Sequence, residues 1–322
     1  MLTTQSCCRI IQASSVGSIA YSRLRGEGTV HGVFESAINI LFEGGLVSLV
    51  PEAVQRGPLN VTLQLPHGIL GLSFLEVKAG DTVNVRDLTL ELGDHSLLSF
   101  GSAQIYSPKQ RFTMPVLPNH EIEANLEVMI ETARVLGKMS GLGELFALMT
   151  PGTVEAMPKK LNIFSSFAIP RIIRLENAFR SENKNALEDA IRGLIGLGPG
   201  LTPSSDDMLA GLVLLCLLYA KNRQNARRAS QLIAQATSKE VRGRTTLLSE
   251  ELLKQAVSGR GNEIVMRLCT TLLTGNPESV TRETKHVLQI GETSGTDTVL
   301  GIALGTLLAT GTQSILAKRN SE

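Results

Sequence analysis

The sequence contains no tryptophan, and aromatic residues make up only 4% of its 322 residues. Single-stranded nucleic acids are usually held on aromatic stacking surfaces, which this composition does not provide. Charge of one sign is also lacking, because 31 Lys and Arg residues face 30 Asp and Glu residues, for a net charge of +1. A chain without a positive field has little attraction for nucleic acid or an anionic membrane surface. We therefore expect neither as a partner.

Cysteine is scarce, and the spacing of the cysteines does not suggest a metal site. The four cysteines are Cys7, Cys8, Cys216 and Cys269, with no C-x-x-C pair among them. This pattern is typical of a reducing compartment rather than of a disulfide framework or a zinc site. The beginning of the sequence also lacks a basic start followed by an apolar export segment. A cytoplasmic protein is expected.

Long hydrophobic runs are absent as well. No stretch reaches the roughly 18 to 20 apolar residues that span a bilayer. The most apolar stretch, from Met208 to Ala220, is expected to form a buried core helix.

The residues that are present divide the chain into two halves of different texture. From Gly28 to Tyr106, short runs of Val, Ile, Leu and Thr alternate with Gly, Pro and Asp, which is typical of strands. After Pro118 the apolar residues recur every three or four positions, which predicts amphipathic helices. The expected fold class is α+β, with a β-rich domain over 1–115, a small sheet or barrel, packed on a mainly helical domain over 116–322.

Helices are predicted in most of the second half. The first covers about 120–139, and the others are expected at about 171–181, 185–196, 205–221, 224–237, 246–258, 261–274, 277–290 and 296–309. Asn276 and Pro277 mark one helix start as N-cap and first helical residue. Residues 149–170 hold three prolines and are predicted to be a connector or a binding loop.

One motif occurs twice. Residues 193–211 read GLIGLGPGLTPSSDDMLAG, and residues 290–309 read IGETSGTDTVLGIALGTLLA. Aligning Asp207 with Asp297 also aligns Ser204 with Ser294, so both segments read S-x-x-D-x-x-x-G and continue as an apolar helix.

Two interpretations of this motif stay open. In the first, each S-x-x-D is a capping box that begins a helix, and the glycines before it end the preceding helix. In the second, the dense glycines and the helix-start N–H groups of both loops form one polar pocket for a phosphate or carboxylate. A pocket of this kind requires the two loops to lie within about 20 Å of each other, so that one small ligand contacts both.

The second interpretation names candidate residues. Asp206, Asp207 and Asp297 are the candidate catalytic groups, and the first two are also candidate ligands of a magnesium ion. Arg244 is included because arginine binds carboxylate or phosphate with two hydrogen bonds, although a solvated turn capped by Thr246 explains that segment equally well. The candidate ligand-binding residues are Gly198, Gly200, Thr202, Ser204, Ser205, Thr293, Ser294, Gly295 and Arg244.

The sequence also resembles a known family. The segments GLGPGLTPSSDDMLAG, TTLLSEELLKQAVSG, GETSGTDTVLGIALG and GTVHGVFESAINILFEGGLVSLV are similar to those of the AllH family. The resemblance implies a subunit of an oxamate carbamoyltransferase of allantoin and purine breakdown, working beside FdrA-like and AllG-like subunits. Such complexes transfer a carbamoyl group between oxalurate and phosphate, giving oxamate and carbamoyl phosphate. Small anionic substrates are therefore expected.

Two positions depart from the family pattern. Ser205 stands where the family more often has glycine, and Thr296 stands where it more often has an aromatic residue. The first change restricts the turn and the second removes a stacking surface, and either is expected to alter substrate choice or weaken the site.

Carbamoyl transfer passes through an anionic tetrahedral species, which hydrogen-bond donors at the two helix starts would stabilise. Against catalysis by this chain alone stands the lack of an obvious base in its motifs. Two other functions therefore stay open, a non-catalytic subunit that binds a metabolite or its partners, and a stand-alone metal-dependent hydrolase built on the three aspartates.

Overall fold

In the computed structural model the chain forms two compact units, residues 1–108 and 109–322. The structure describes residues 9–69, 71–93, 96–108, 115–149 and 161–312. Cys7, Cys8 and residues 150–160, which are half of the three-proline segment, lie outside the described residues.

The first unit is a β-sheet that closes on itself, which confirms the barrel expected from the short apolar runs. Around the ring the strands follow the order β5, β4, β3, β2, β6, β7, β8 and β1, and β1 pairs with β5 to complete it. The last strand, β9, also pairs with β1. It pairs with residues 15–17 of β1, beyond residues 9–12, which pair with β8. The strands are β1 Arg9–Gly17, β2 Gly26–Phe34, β3 Ala37–Phe42, β4 Gly45–Pro51, β5 Asn60–Gln64, β6 Thr82–Arg86, β7 Thr89–Leu92, β8 Ser96–Ser99 and β9 Gln104–Tyr106, with helix α1 at Ser18–Arg23.

Two features of this unit differ from the prediction. Strand β1 lies before the first predicted strand and was not predicted. Its polar residues hide the alternation of apolar and polar positions, and its partners β5, β8 and β9 are all distant in sequence. Residues 74–85, which lie within the stretch predicted to form strands, are not one strand, since this segment begins in a short 3₁₀ turn at Ser73–Leu75. Glu76 and Gly80 then take positive φ angles, which interrupt an extended chain.

The second unit is helical, which confirms the α+β class. Asn276 and Pro277 begin a helix as predicted, and the Asn276 side chain accepts a hydrogen bond from the Ser279 amide. The helices are α2 Asn119–Leu136, α3 Leu145–Met149, α4 Ile163–Arg180, α5 Lys184–Leu194, α6 Ser204–Ala220, α7 Arg227–Glu240, α8 Leu247–Ala256, α9 Glu263–Thr274, α10 Pro277–Leu288 and α11 Ser294–Thr310.

Helix α4 begins eight residues earlier than predicted, inside the segment assigned to a connector. Asn162 caps it by accepting a hydrogen bond from the Ser165 amide. Pro170 was expected to lie outside the helix but lies within it and is exposed to solvent. An exposed proline in a helix removes one hydrogen bond, and the buried apolar face of α4 offsets this cost.

Helices α6 and α11 form the centre of the second unit, and both are buried along almost their whole length. They approach so closely that a Cβ built on Gly211 would lie 2.3 Å from the Thr298 carbonyl oxygen, and one on Gly301 would lie 1.8 Å from that of Met208. Gly211 and Gly301 are equivalent in the repeated motif, as are Met208 and Thr298. The two copies of the motif therefore pack against each other in the same way from both sides.

No helix among the described residues combines the length and apolarity needed to cross a membrane. The stretch from Met208 to Ala220 lies in α6 as a core helix, as predicted. Cys216 and Cys269 are free and fully buried among apolar side chains, which raises the pKa of each thiol to about 12.

We predict that Gly301→Ala destabilises the second unit strongly, because its Cβ would overlap the Met208 carbonyl of a rigid neighbouring helix. The expected loss in the free energy of unfolding is about 3 kcal/mol, the upper end of the usual range for overpacking. Urea denaturation followed by circular dichroism measures it. Gly193→Ala is the matched control in α5, since its Cβ would meet only the flexible Arg171 side chain. Equal stability of the two variants would contradict the close contact.

Candidate functional site

The two copies of the motif meet at the start of α6 and α11. Thr202 Oγ1 and Ser294 Oγ are 3.0 Å apart, within hydrogen-bond distance and far inside the 20 Å limit set by the sequence. Exposure falls steadily from Gly200 at the surface, through half-buried Thr202 and Ser294, to fully buried Ser204 and Asp297. We call the group formed by Thr202, Ser204, Asp207, Ser294 and Asp297 the Ser/Asp cluster.

The cluster is not a pair of capping boxes. The N-caps of α6 and α11 are Pro203 and Thr293, and neither makes a side-chain capping hydrogen bond. Ser204 and Ser294 lie one position later, as the first residue of each helix. The serine of one helix instead lies beside the aspartate of the other, Ser204 with Asp297 and Ser294 with Asp207. Capping therefore does not explain why both motifs carry these residues.

Asp206 lies next to the cluster but its carboxylate is fully used elsewhere. Oδ1 accepts a hydrogen bond from the Gly196 amide at 2.8 Å, and Oδ2 accepts from the hydroxyls of Thr245 and Ser249. Burial raises the pKa of Asp206, and these three hydrogen bonds oppose the increase. The side chain fastens the glycine loop and the start of α8 to α6.

Ser205 has a similar structural place. It is fully buried, and its hydroxyl donates to the carbonyl oxygen of Leu194 or Leu197 and accepts from the Leu197 amide at 3.1 Å. The serine therefore ties the first turn of α6 to the end of α5. Its Cβ lies in regular helix, so the departure from glycine introduces no turn strain here.

Both aspartates of the cluster have raised pKa values. Burial raises the pKa of Asp297 to about 6, although the Leu142 amide and the hydroxyls of Ser204 and Thr293 lower it. Burial also raises the pKa of Asp207 well above its usual value, and the nearby Asp297 carboxylate adds to this, against the lowering effect of Ser294 and Thr202. Two carboxyl groups that influence each other in this way are stable with a proton on one of them.

A third wall of the cluster comes from the loop between α2 and α3, which the sequence did not point to. The Leu142 amide donates to Asp297 Oδ1 at 2.8 Å. A Cβ built on Gly141 would lie 2.6 Å from Asp297 Oδ2 and 2.8 Å from Ser204 Oγ, so only glycine leaves these atoms room. Thr296 also binds this loop, because its hydroxyl accepts from the Lys138 amide at 2.9 Å. The G-L-G pattern at 141–143 is the one local signal for this wall.

Three buried oxygen atoms of the cluster lack a hydrogen bond of normal geometry. They are Ser204 Oγ, Asp207 Oδ2 and Asp297 Oδ2. Ser204 and Asp297 are themselves fully buried, where an unsatisfied polar atom costs about 1 to 3 kcal/mol. Buried polar atoms without partners are uncommon in folded proteins and call for an explanation, and a bound molecule that supplies the missing hydrogen bonds is one.

The helix-start amides are less available to a ligand than the sequence suggested. Asp206 N and Asp207 N donate to the Pro203 carbonyl, and Gly295 N donates to the Ile290 carbonyl at 2.9 Å. The Ser205 amide donates to the Leu197 carbonyl at 3.0 Å. The groups that face the cluster are therefore side-chain oxygens rather than a ring of N–H donors.

The remaining candidates surround the cluster or lie apart from it. Gly198 has φ +125° and packs against the Ser204 backbone, while Gly295 packs against the Val287 carbonyl, so both glycines allow close backbone contact. Gly200, with φ +90°, is exposed and nothing lies near its Cβ position. The guanidinium of Arg244 forms an ion pair with Glu240 at 3.6 Å.

The residues after Arg244 begin helix α8 with Thr246 as the cap, as the alternative interpretation of this segment predicted. Thr246 is the N-cap of α8 and accepts a hydrogen bond from the Ser249 amide. In the part of the chain that the structure describes, no group of three or more His, Cys, Asp or Glu side chains is placed to bind a metal ion.

Comparison with known proteins matches both units of the chain. A family model described as oxamate carbamoyltransferase subunit AllH matches residues 194–306, which include both motifs. A second model, the AllH family N-terminal domain, matches residues 7–105, the barrel unit. The chain belongs to the AllH family. No solved structure matches it.

The raised pKa of Asp297 predicts a stability change with pH. The folded protein binds this proton more tightly than the unfolded chain, so stability present below about pH 4 is lost as the pH rises through 6. The Asp297→Asn variant lacks this titrating carboxyl group, so its stability should not show this loss. The shift is about two pKa units at about 1.4 kcal/mol each, so the free energy of unfolding of the variant relative to wild type should rise by about 3 kcal/mol from pH 4 to pH 7.

Urea denaturation at several pH values measures this difference. Asp189→Asn removes a carboxylate whose side chain is 70% exposed and should show no such rise. A flat difference for Asp297→Asn would mean that its carboxyl group is solvated in the folded protein.

Proposed function

We propose that this chain is a subunit of a heteromeric oxamate carbamoyltransferase that interconverts oxalurate and phosphate with oxamate and carbamoyl phosphate. The family assignment supports the subunit role, since both matching models carry the AllH name. We further propose that FdrA-like and AllG-like proteins are the partner subunits, and that the complex acts in the cytoplasm in allantoin and purine nitrogen breakdown.

We propose that the small anionic substrate binds at the Ser/Asp cluster. The observation that carries this proposal is the meeting of both motifs around three buried oxygens without hydrogen-bond partners. Both motifs also lie within the segment matched by the carbamoyltransferase model. Gly200 is exposed and Thr202, Asp207 and Ser294 are half-buried, so we propose that the ligand reaches the cluster from this side.

The raised pKa values suit the chemistry of the transfer. A phosphate oxygen forms a bond to the carbamoyl carbon, the bond from that carbon to the oxamate nitrogen breaks, and the leaving nitrogen takes up a proton. A carboxyl group that keeps its proton near neutral pH can supply it. Burial and the nearby Asp297 carboxylate raise the pKa of Asp207, which favours its protonated form, and Asp207 is the less buried residue of the two, so we assign it the role of general acid.

The phosphate itself requires positive charge or several N–H donors. Neither Asp207 nor Asp297 forms an ion pair with a Lys or Arg side chain of the described residues, and Arg244 is engaged with Glu240. We therefore propose that partner subunits contribute the phosphate-binding groups. In this arrangement the chain needs its partners for activity.

The test is carbamoyl phosphate formation from oxalurate and phosphate by the purified chain, with and without the co-expressed partner subunits. With the partners present, we expect Asp207→Asn to lower the rate at least about 100-fold, the usual contribution of a general acid. Asp189→Asn, the same change at an exposed position, should leave the rate unchanged. Size-exclusion chromatography confirms that each variant still assembles.

Three results would count against the proposal. Full activity of the partners without this chain would favour a metabolite-binding or scaffold subunit. Full activity of assembled Asp207→Asn would remove this carboxyl group from the chemistry. Hydrolysis by the chain alone that requires magnesium would favour the metal-dependent hydrolase.

A further inference from the structure

The atoms of the Ser/Asp cluster that lack partners are all oxygens that can accept a hydrogen bond. Asp207 Oδ2 and Asp297 Oδ2 are carboxyl oxygens, which accept hydrogen bonds when ionised, and Ser204 Oγ can either donate or accept. Most helix-start amides beside them already donate to backbone carbonyls. The cluster therefore offers mainly acceptors, and an anion placed among them would meet repulsion rather than donors.

A primary carboxamide has the complementary pattern. Its nitrogen carries two N–H donors, and its carbonyl oxygen is an acceptor on the other side of the same planar group. A carboxylate accepts from the nitrogen, while a hydroxyl or a protonated carboxyl group donates to the oxygen. Both kinds of group are present within the cluster.

We infer that the Ser/Asp cluster binds the carboxamide of oxamate, whose nitrogen carries the carbamoyl group in oxalurate, with Asp207 and Asp297 facing this nitrogen and Ser204 facing the carbonyl oxygen of the same amide. This inference rests on the proposed function and adds to it which end of the substrate enters. The anionic end then points outward, on the side of half-buried Thr202 and exposed Gly200.

The walls of the cluster support a small planar group rather than a larger one. Gly141 lies against Ser204 Oγ and Asp297 Oδ2 so closely that a methyl group does not fit. The Leu142 amide donates to Asp297 Oδ1 at 2.8 Å, which holds this carboxyl group against the loop between α2 and α3. The position of the acceptor atoms is therefore set before a ligand binds.

A divalent cation is the main alternative occupant, because carboxylate and hydroxyl oxygens also bind magnesium. It requires both carboxyl groups to be ionised together. Burial and their mutual repulsion oppose double ionisation, as the raised pKa values of both groups indicate. A neutral carboxamide requires only one of them to be ionised.

Isothermal titration calorimetry on the full chain, and on its complex with the partner subunits, tests the inference with oxamate, oxalate and inorganic phosphate, and separately with magnesium alone. Oxamate and oxalate have nearly the same shape and differ in whether one end is a carboxamide or a carboxylate, and inorganic phosphate has no N–H group. We expect wild type to bind oxamate at least about tenfold more tightly than oxalate. Oxalate lacks the N–H donors of oxamate and places a second negative charge beside the carboxyl groups of the cluster.

Two variants locate the preference. Ser204→Ala and Asp207→Asn should each reduce the preference for oxamate over oxalate by about tenfold or more, because each removes one of the matched hydrogen bonds. The control Asp189→Asn should keep the wild-type preference. Gly141→Ala should also weaken oxamate binding, because its methyl group would fill the space beside Asp297.

The outcomes separate this inference from the proposed function. If oxalate or phosphate binds as tightly as oxamate while Asp207→Asn still abolishes transfer, the cluster is catalytic but takes the anionic end, and the inference is wrong. If magnesium binds wild type and fails to bind Asp207→Asn in the absence of oxamate, the cluster is a cation site. If neither the chain nor its complex binds oxamate, the inference is also wrong.

Discussion

The contact between the backbones of α6 and α11 is the constraint on which the candidate site depends. Gly211 and Gly301 let each helix approach the carbonyl groups of the other, at a distance that no side chain at either position would permit. The repeated S-x-x-D segments lie at the starts of these two helices. Because the helices touch at equivalent positions, the serine of each copy is brought to the aspartate of the other.

Much of the remaining second unit holds this pair in place. Asp206 and Ser205 tie the start of α6 to the glycine loop and to α8, and Thr296 ties the start of α11 to the loop after α2. These residues are adjacent to the cluster in sequence but point away from it. Neighbouring residues of one motif therefore have different roles, because some form hydrogen bonds with the surrounding loops and helices and the others belong to the Ser/Asp cluster.

Burial gives the cluster its chemical character. Two carboxyl groups that are removed from water and lie near each other ionise less readily than usual, so one of them keeps a proton under conditions where free aspartate would not. Serine and threonine hydroxyls around them partly offset this effect. The same burial that costs stability therefore produces a group able to donate a proton and a group able to accept a hydrogen bond.

The sequence by itself determined the α+β class, most of the barrel-forming strands, most of the helices and the two repeated motifs. These follow from local causes, namely the period of the apolar residues and the preferences of Asn, Pro and Gly at helix ends. Sequence also identified Asp207, Asp297, Ser204 and Ser294 as candidates, although it left capping and ligand binding as equal explanations.

Only the tertiary structure decided between the roles of neighbouring residues. Asp206 and Asp207 are adjacent and chemically identical, yet one is saturated with hydrogen bonds and the other has a buried oxygen without a partner. Strand β1 and the Gly141 wall also escaped local analysis, because their contacts involve residues far away in sequence. A hydrogen-bond partner from another helix depends on how the helices pack, and local spacing carries no information about that.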